Sequence, residues 1–229
     1  QANKEACLER ERQEAASASV HHDIKPIVIK GDCLEVLPTI GGIDLLIADP
    51  PYFTDGDFTS QVAECLRSVK DSAQAFVFLG ADPTELAAYL AIDSGKMKAT
   101  QVLTWNYNNT GQRQPNERFT SNSQLAIYYR GPSAPQINKP SDGKHQYACQ
   151  TINAPDGRIG DRYHEWQKPS ELIERLVLCA SSKGDTVFDP FVGSGTTALV
   201  AAKHGRKGIG CDVDERAIGI CVKRGAVRG

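Results

Sequence analysis

Short apolar runs, each closed by Gly, Asp or Pro, recur along this chain at 26–30 (PIVIK), 43–48 (IDLLIA), 75–79 (AFVFL), 100–105, 124–129, 186–188 and 207–210. Continuous apolar blocks of four to six residues predict buried strands rather than half-exposed ones. Between most of them the apolar period changes to three and four. Val62, Cys65, Leu66 and Val69 fall on one stripe within 58–70, and Leu172, Ile173, Leu176, Val177 and Cys179 on another within 170–180. Further helices are predicted at 83–91, with Asp82 as N-cap and Pro83 in the first turn, and at 196–204 and 214–222. Strands alternating with helices predict a doubly wound, mostly parallel α/β sheet of seven strands with helices on both faces, Rossmann-like in layout.

Two stretches depart from this rhythm. Residues 1–22 are charged and rich in Ala and Ser, and read as an N-terminal arm, helical or frayed. Residues 106–163 are rich in Asn, Gln, Gly, Pro and Arg, with 124–129 as their one predicted strand. A connection that long and irregular inside the main domain of 23–229 points to a functional insertion.

Composition narrows the class. The chain has 229 residues, 40% hydrophobic and 24% charged, which suits one globular domain. No apolar run reaches the ~20 residues of a membrane-spanning helix. Seven scattered cysteines, none at C-x-x-C spacing, suggest reduced thiols of an intracellular, cytoplasmic protein and no metal site. The net charge of −2 does not advertise a nucleic-acid binder. Residues 111–168 nevertheless carry eight Lys/Arg against five Asp/Glu, a local basic excess.

Two segments carry chemistry. Asp189-Pro190-Phe191-Val192-Gly193-Ser194-Gly195-Thr196-Thr197 follows a strand and opens a helix, the place where backbone amides and a helix dipole favour an anion or carboxylate. Asp212 closes the next strand, 17 residues after Gly195, near the spacing at which a carboxylate meets ribose hydroxyls; it could instead cap a helix, although Asp214 is the better cap. Asp49-Pro50-Pro51-Tyr52 ends an earlier strand. Its prolines remove two donors, leaving an acceptor-rich edge beside an aromatic ring, which suits a planar group bearing an NH₂.

Together these segments resemble the S-adenosylmethionine-dependent DNA amino-methyltransferases that act on adenine N6 or cytosine N4. The tetrapeptide precedes the glycine-rich segment by 140 positions, an order similar to the β group of that family. His164-Glu165-Trp166-Gln167-Lys168-Pro169 is similar to the family's His-Pro-Thr-Gln-Lys-Pro box, with Glu165-Trp166 in place of Pro-Thr, and Gly31-Asp32-Cys33-Leu34 is similar to its Gly-Asp-Cys-Leu start. The resemblance implies a methyltransferase sheet, S-adenosylmethionine as cofactor and DNA as partner. It assigns Asp49, Pro50, Pro51 and Tyr52 to the target base. Asp189, Phe191, Gly193, Ser194, Gly195, Thr196 and Thr197 would line the methionine end of the cofactor, with Asp49 close by, and Asp212 would hold the ribose. Asp32 and Cys33 would meet the adenine end, and Lys168 and His164 the carboxylate.

Reading of DNA would fall to 106–163, with Arg113, Arg118, Arg130, Lys139, Lys144, Arg158 and Arg162 as candidate contacts. That stretch is short for target recognition, so a second copy or a separate partner stays open. Asp at the head of the tetrapeptide leans toward adenine. Cytosine N4, an RNA or protein N-methyltransferase, and a non-catalytic DNA-binding module of the same fold remain alternatives.

Overall fold

The computed structural model describes residues 24–51, 58–109, 119–140, 145–156, 162–164 and 166–229. The N-terminal arm at 1–22, Tyr52, Arg113, Arg118, Lys144 and Arg158 lie outside them. Nine strands form one sheet: β1 (Ile27–Lys30), β2 (Leu45–Ala48), β3 (Gln74–Leu79), β4 (Lys98–Asn106), β5 (Ser123–Arg130), β6 (Cys149–Thr151), β7 (Thr186–Asp189), β8 (Lys207–Asp212) and β9 (Val227–Arg228). Their order is β6-β4-β5-β3-β2-β7-β8-β1-β9. Only β5 runs antiparallel, inserted between β3 and β4; the other described strands share one direction.

The seven expected strands are therefore present, and the sheet exceeds the expected seven by β6 and β9. These have three and two residues, too short for a hydrophobic period to register. Within the stretch 106–163 the expected strand β5 and the additional β6 both belong to the sheet.

Alternation along the central strands explains the two helical layers. In β3, Ala75, Val77 and Leu79 enter one core with Leu46 and Ala48 of β2. Phe76 and Phe78 enter the other with Leu45 and Ile47. The first core is closed by α1 (Cys33–Val36), α2 (Thr59–Ser68) and α3 (Pro83–Leu90). The second is closed by α4 (Ser170–Ala180) and α5 (Thr196–Lys203), and α6 (Glu215–Lys223) extends that layer over β1 through Ile218 and Val28. All four residues of β2 and all six of β3 are buried, as strands covered on both faces must be.

The caps follow the sequence. The Asp82 carboxylate accepts from the amides of Thr84 and Glu85 at the start of α3, and that of Asp214 accepts from Arg216 at the start of α6. Helix and strand pack closely where α5 crosses β8: a Cβ at Gly208 would lie 2.1 Å from the Ala198 carbonyl oxygen, so no larger residue fits. The six described cysteines form no disulfide. Among the described residues no helix is long and apolar enough to cross a membrane.

Candidate active site

The C-terminal ends of β1, β2, β7 and β8 open into a common cleft of about 430 Å³, a size typical of a small-molecule site. Open α/β sheets bind ligands at this edge because the strand-to-helix loops diverge there. Asp32, Asp49, Asp189, Asp212 and Asp214 all line it, against Lys168 and the imidazole of His164. So acidic a wall favours a ligand carrying positive charge.

Asp189 sits deepest. Its carboxyl accepts from the Phe191 amide at 3.0 Å, and the Thr197 hydroxyl also bonds it. Burial pushes its pKa up to about 7, with the nearby charges of Asp49 and Asp212 acting in the same direction. Asp212 faces the glycine-rich turn: its Oδ2 accepts from Gly193 N at 3.0 Å and its Oδ1 from Asp214 N at 2.9 Å. The anion at the turn is thus supplied by the protein. Two further amides of the turn are engaged, Val192 N with Cys211 O and Gly195 N with Val192 O. These three donors shape the turn and fix the Asp212 carboxylate.

The glycines are needed for the same geometry. Gly193 and Gly195 have φ of +49° and +84°, and a Cβ at Gly195 would lie 2.9 Å from Cys221 Sγ. Ser194 and Thr196 hydroxyls lie 3.2 Å apart. Arg224, at the end of α6, donates to Ser194 O at 2.6 Å and to Thr196 Oγ1 at 3.2 Å.

On the other wall, Asp49 follows β2, and its carboxylate pairs with the ammonium of Lys168. Only 5% of the Lys168 side chain is exposed, and its Nζ lies 5.0 Å from the centre of the Phe78 ring. Removing either partner would leave a shielded charge uncompensated, so the pair fixes the carboxylate in place. Lys168, which the resemblance assigns to the cofactor carboxylate, holds Asp49 in this structure. Pro50 and Pro51 continue the wall, and Phe58 meets the Phe191 ring edge-on, with centroids 5.7 Å apart. At the β1 end the Asp32 carboxylate caps α1 through Leu34 N at 2.8 Å. The Cys65 thiol hydrogen-bonds to Cys33, holding Cys33 below the usual thiol range. His164 lines the mouth, and its Nδ1 accepts from Trp166 N at 3.3 Å.

The profile of the N6/N4 DNA methylase family matches residues 43–223. The chain belongs to that family. The DNA adenine methyltransferase YhdJ of Escherichia coli K12 is 27% identical over 86% of this chain and 81% of its own length. A crystal structure of the M1.HpyAVI–SAM complex superposes with a TM-score of 0.71 at 22% identity, covering 86% of this chain and 99% of that one. PvuII DNA methyltransferase, described as cytosine-N4-specific, superposes at 0.72 and 17%, covering 88% and 89%.

As an S-adenosylmethionine-dependent DNA amino-methyltransferase, the protein needs room for a sulfonium, a ribose and an adenine. The cleft fits them: its volume suffices, its carboxylates favour the cationic end, and the Asp212 carboxylate is held rigidly by two amides. Among the DNA-contact candidates, Arg162 alone of the described ones is near the mouth, donating to His164 O at 3.4 Å. Arg130 pairs in register with Gln74 at the start of β3 and donates to the Ala134 and Pro135 carbonyls. Lys139 follows Asn138, which bonds the C-terminal end of α4. Both lie at the edge of the sheet opposite the cleft. The structure adds Phe58 and Gln61 to the lining and, bonded to the glycine-rich turn, Arg224; no motif marks these three positions.

Proposed function

We propose that this protein methylates the exocyclic amine of a DNA base turned out of the helix, and that the base is adenine, modified at N6. The observation that carries this is the meeting of Asp49-Pro50-Pro51 with the glycine-rich turn and Asp212 in one cleft. S-adenosylmethionine supplies an electrophilic methyl group. Asp212 would hold its ribose, Asp32 and Cys33 would flank its adenine, and the turn at 189–197 would line its methionine end. Asp49 and the Pro50 carbonyl would accept the two N–H bonds of the target amine, favouring a nitrogen whose lone pair is localised and aimed in line. Lys168 would keep the Asp49 carboxylate oriented for that task. Stacking on the base falls to Tyr52, and the base must leave the duplex to arrive there. Asp at the head of the tetrapeptide, and a relative named as an adenine methyltransferase, support adenine over cytosine.

The test is incubation with methyl-labelled S-adenosylmethionine and duplex DNA, RNA or protein, followed by digestion to nucleosides. Label in N6-methyladenine is expected. Label in N4-methylcytosine would replace the base assignment, and label confined to RNA or protein would overturn the substrate class.

A further inference from the structure

Arg224 has no place in the recognised motifs and lies outside the cleft, yet it touches both the glycine-rich turn that lines the cleft and Tyr163, next to His164 on the opposite wall. Its Nη1 binds Ser194 O and Thr196 Oγ1 in the glycine-rich turn. Its guanidinium carbon lies 4.6 Å from the centre of the Tyr163 ring. Tyr163 is 53% exposed, and the guanidinium packs on its ring. Tyr163 is in turn tied to the cleft wall: its amide donates to Gln167 Oε1 at 2.9 Å, and Gln167 N donates to His164 O at 3.3 Å. The next residue is Lys168, the partner of Asp49. A continuous set of contacts thus runs from the turn, through Arg224 and Tyr163, to the residues that orient the catalytic carboxylate.

We propose that Arg224 and Tyr163 form a positioning pair, which locks the wall carrying His164, Trp166 and Lys168 against the cofactor turn and so sets the width of the cleft. The planar guanidinium suits this role because it can stack with one face while its edge donates, which an ammonium cannot do at once. The inference rests on the cofactor reading of the cleft given above.

The chain has two tryptophans, which make the test direct. Trp105 is buried, with its indole N–H on Ile152 O, whereas Trp166 is 47% exposed on the wall in question. Acrylamide quenching therefore reports Trp166. In Tyr163→Ala, quenching of the free protein should rise and the Kd of S-adenosylhomocysteine, read by calorimetry, should increase about three- to tenfold. Tyr163→Phe should restore both, and Arg224→Lys should behave like the alanine variant. Unchanged quenching and affinity in Tyr163→Ala, or failure of Phe to restore them, overturns the proposal. Tyr163 is half exposed, so its loss should leave thermal unfolding nearly unmoved; a broad loss of stability that Phe does not rescue counts against a positioning role. If the unaltered protein binds no S-adenosylhomocysteine, the cofactor reading itself fails and this pair's role falls with it.

Discussion

Asp189 offers a quantitative test of the cleft's electrostatics. Its carboxyl is buried, and its pKa is pushed from an ordinary 3.8 up to about 7, chiefly by lost hydration. Each pH unit is worth 1.36 kcal/mol, so the ionised form is penalised by about 4 kcal/mol on folding. The sign follows from proton counting. Between about pH 4 and pH 7 the folded protein keeps a proton on Asp189 that the unfolded chain has released, so folding stability falls as pH rises through that window. Below pH 4 both states are protonated and there is no penalty; above pH 7 the full penalty is present. Asp189→Asn stays neutral throughout, and its side-chain oxygen can still accept from the Phe191 amide. Urea denaturation of cofactor-free protein at several pH values between 4.5 and 8 would measure both chains. The stability difference, variant minus parent, should grow with pH and approach about 4 kcal/mol by pH 8. A difference that stays flat would show that Asp189 ionises normally, and the account of a dehydrated, acid-crowded cleft floor would be wrong.

Other outcomes follow from the same contacts. Asp212→Ala removes the acceptor of Gly193 N and Asp214 N together with the proposed ribose ligand; S-adenosylhomocysteine should bind weaker by about 1–3 kcal/mol in calorimetry, and unchanged affinity would remove Asp212 from the site. Lys168→Met leaves Asp49 without its ion partner, so methyl transfer should fall much more than cofactor affinity. A double-mutant cycle with Asp49→Asn should then show non-additive effects on stability, because the two groups share one interaction. Gly208→Ala drives a methyl group to 2.1 Å from the Ala198 carbonyl oxygen; a loss on the order of 3 kcal/mol is expected in thermal or urea unfolding, and near-neutral behaviour would contradict the close packing of α5 on β8.

Legibility in the sequence tracked the strength of each local signal. Strands such as β2 and β3, buried on both faces, wrote themselves as continuous apolar runs, and Asp82 with Pro83 marked the start of α3. The four-residue α1 and the strands β6 and β9 were too short for any period to show. The antiparallel course of β5 is a property of how strands pair, which an apolar run of either direction shares. In the cleft, Asp49, Asp189, Asp212 and the glycines stood out because acids and glycines ending strands are conspicuous. Their pairings did not. The 119-residue separation of Asp49 from Lys168 and the 30-residue separation of Ser194 from Arg224 are closed only by tertiary folding. Charge in a loop-rich stretch singles out Arg130 and Lys139 as DNA-contact candidates but does not reveal that they sit at the sheet edge opposite the cleft, Arg130 through the register of β5 and Lys139 beside the end of α4.

The most direct examination of the central claim is a single-turnover experiment with Asp49→Ala, saturated with methyl-labelled S-adenosylmethionine and mixed with duplex DNA. Transfer should be slowed by about 10³-fold or more, with the cofactor's Kd within about threefold of the parent's, since the proposed role of the carboxylate is to hold the amine and not the donor. Transfer within tenfold of the parent's, or a cofactor affinity that collapses along with it, would contradict the account.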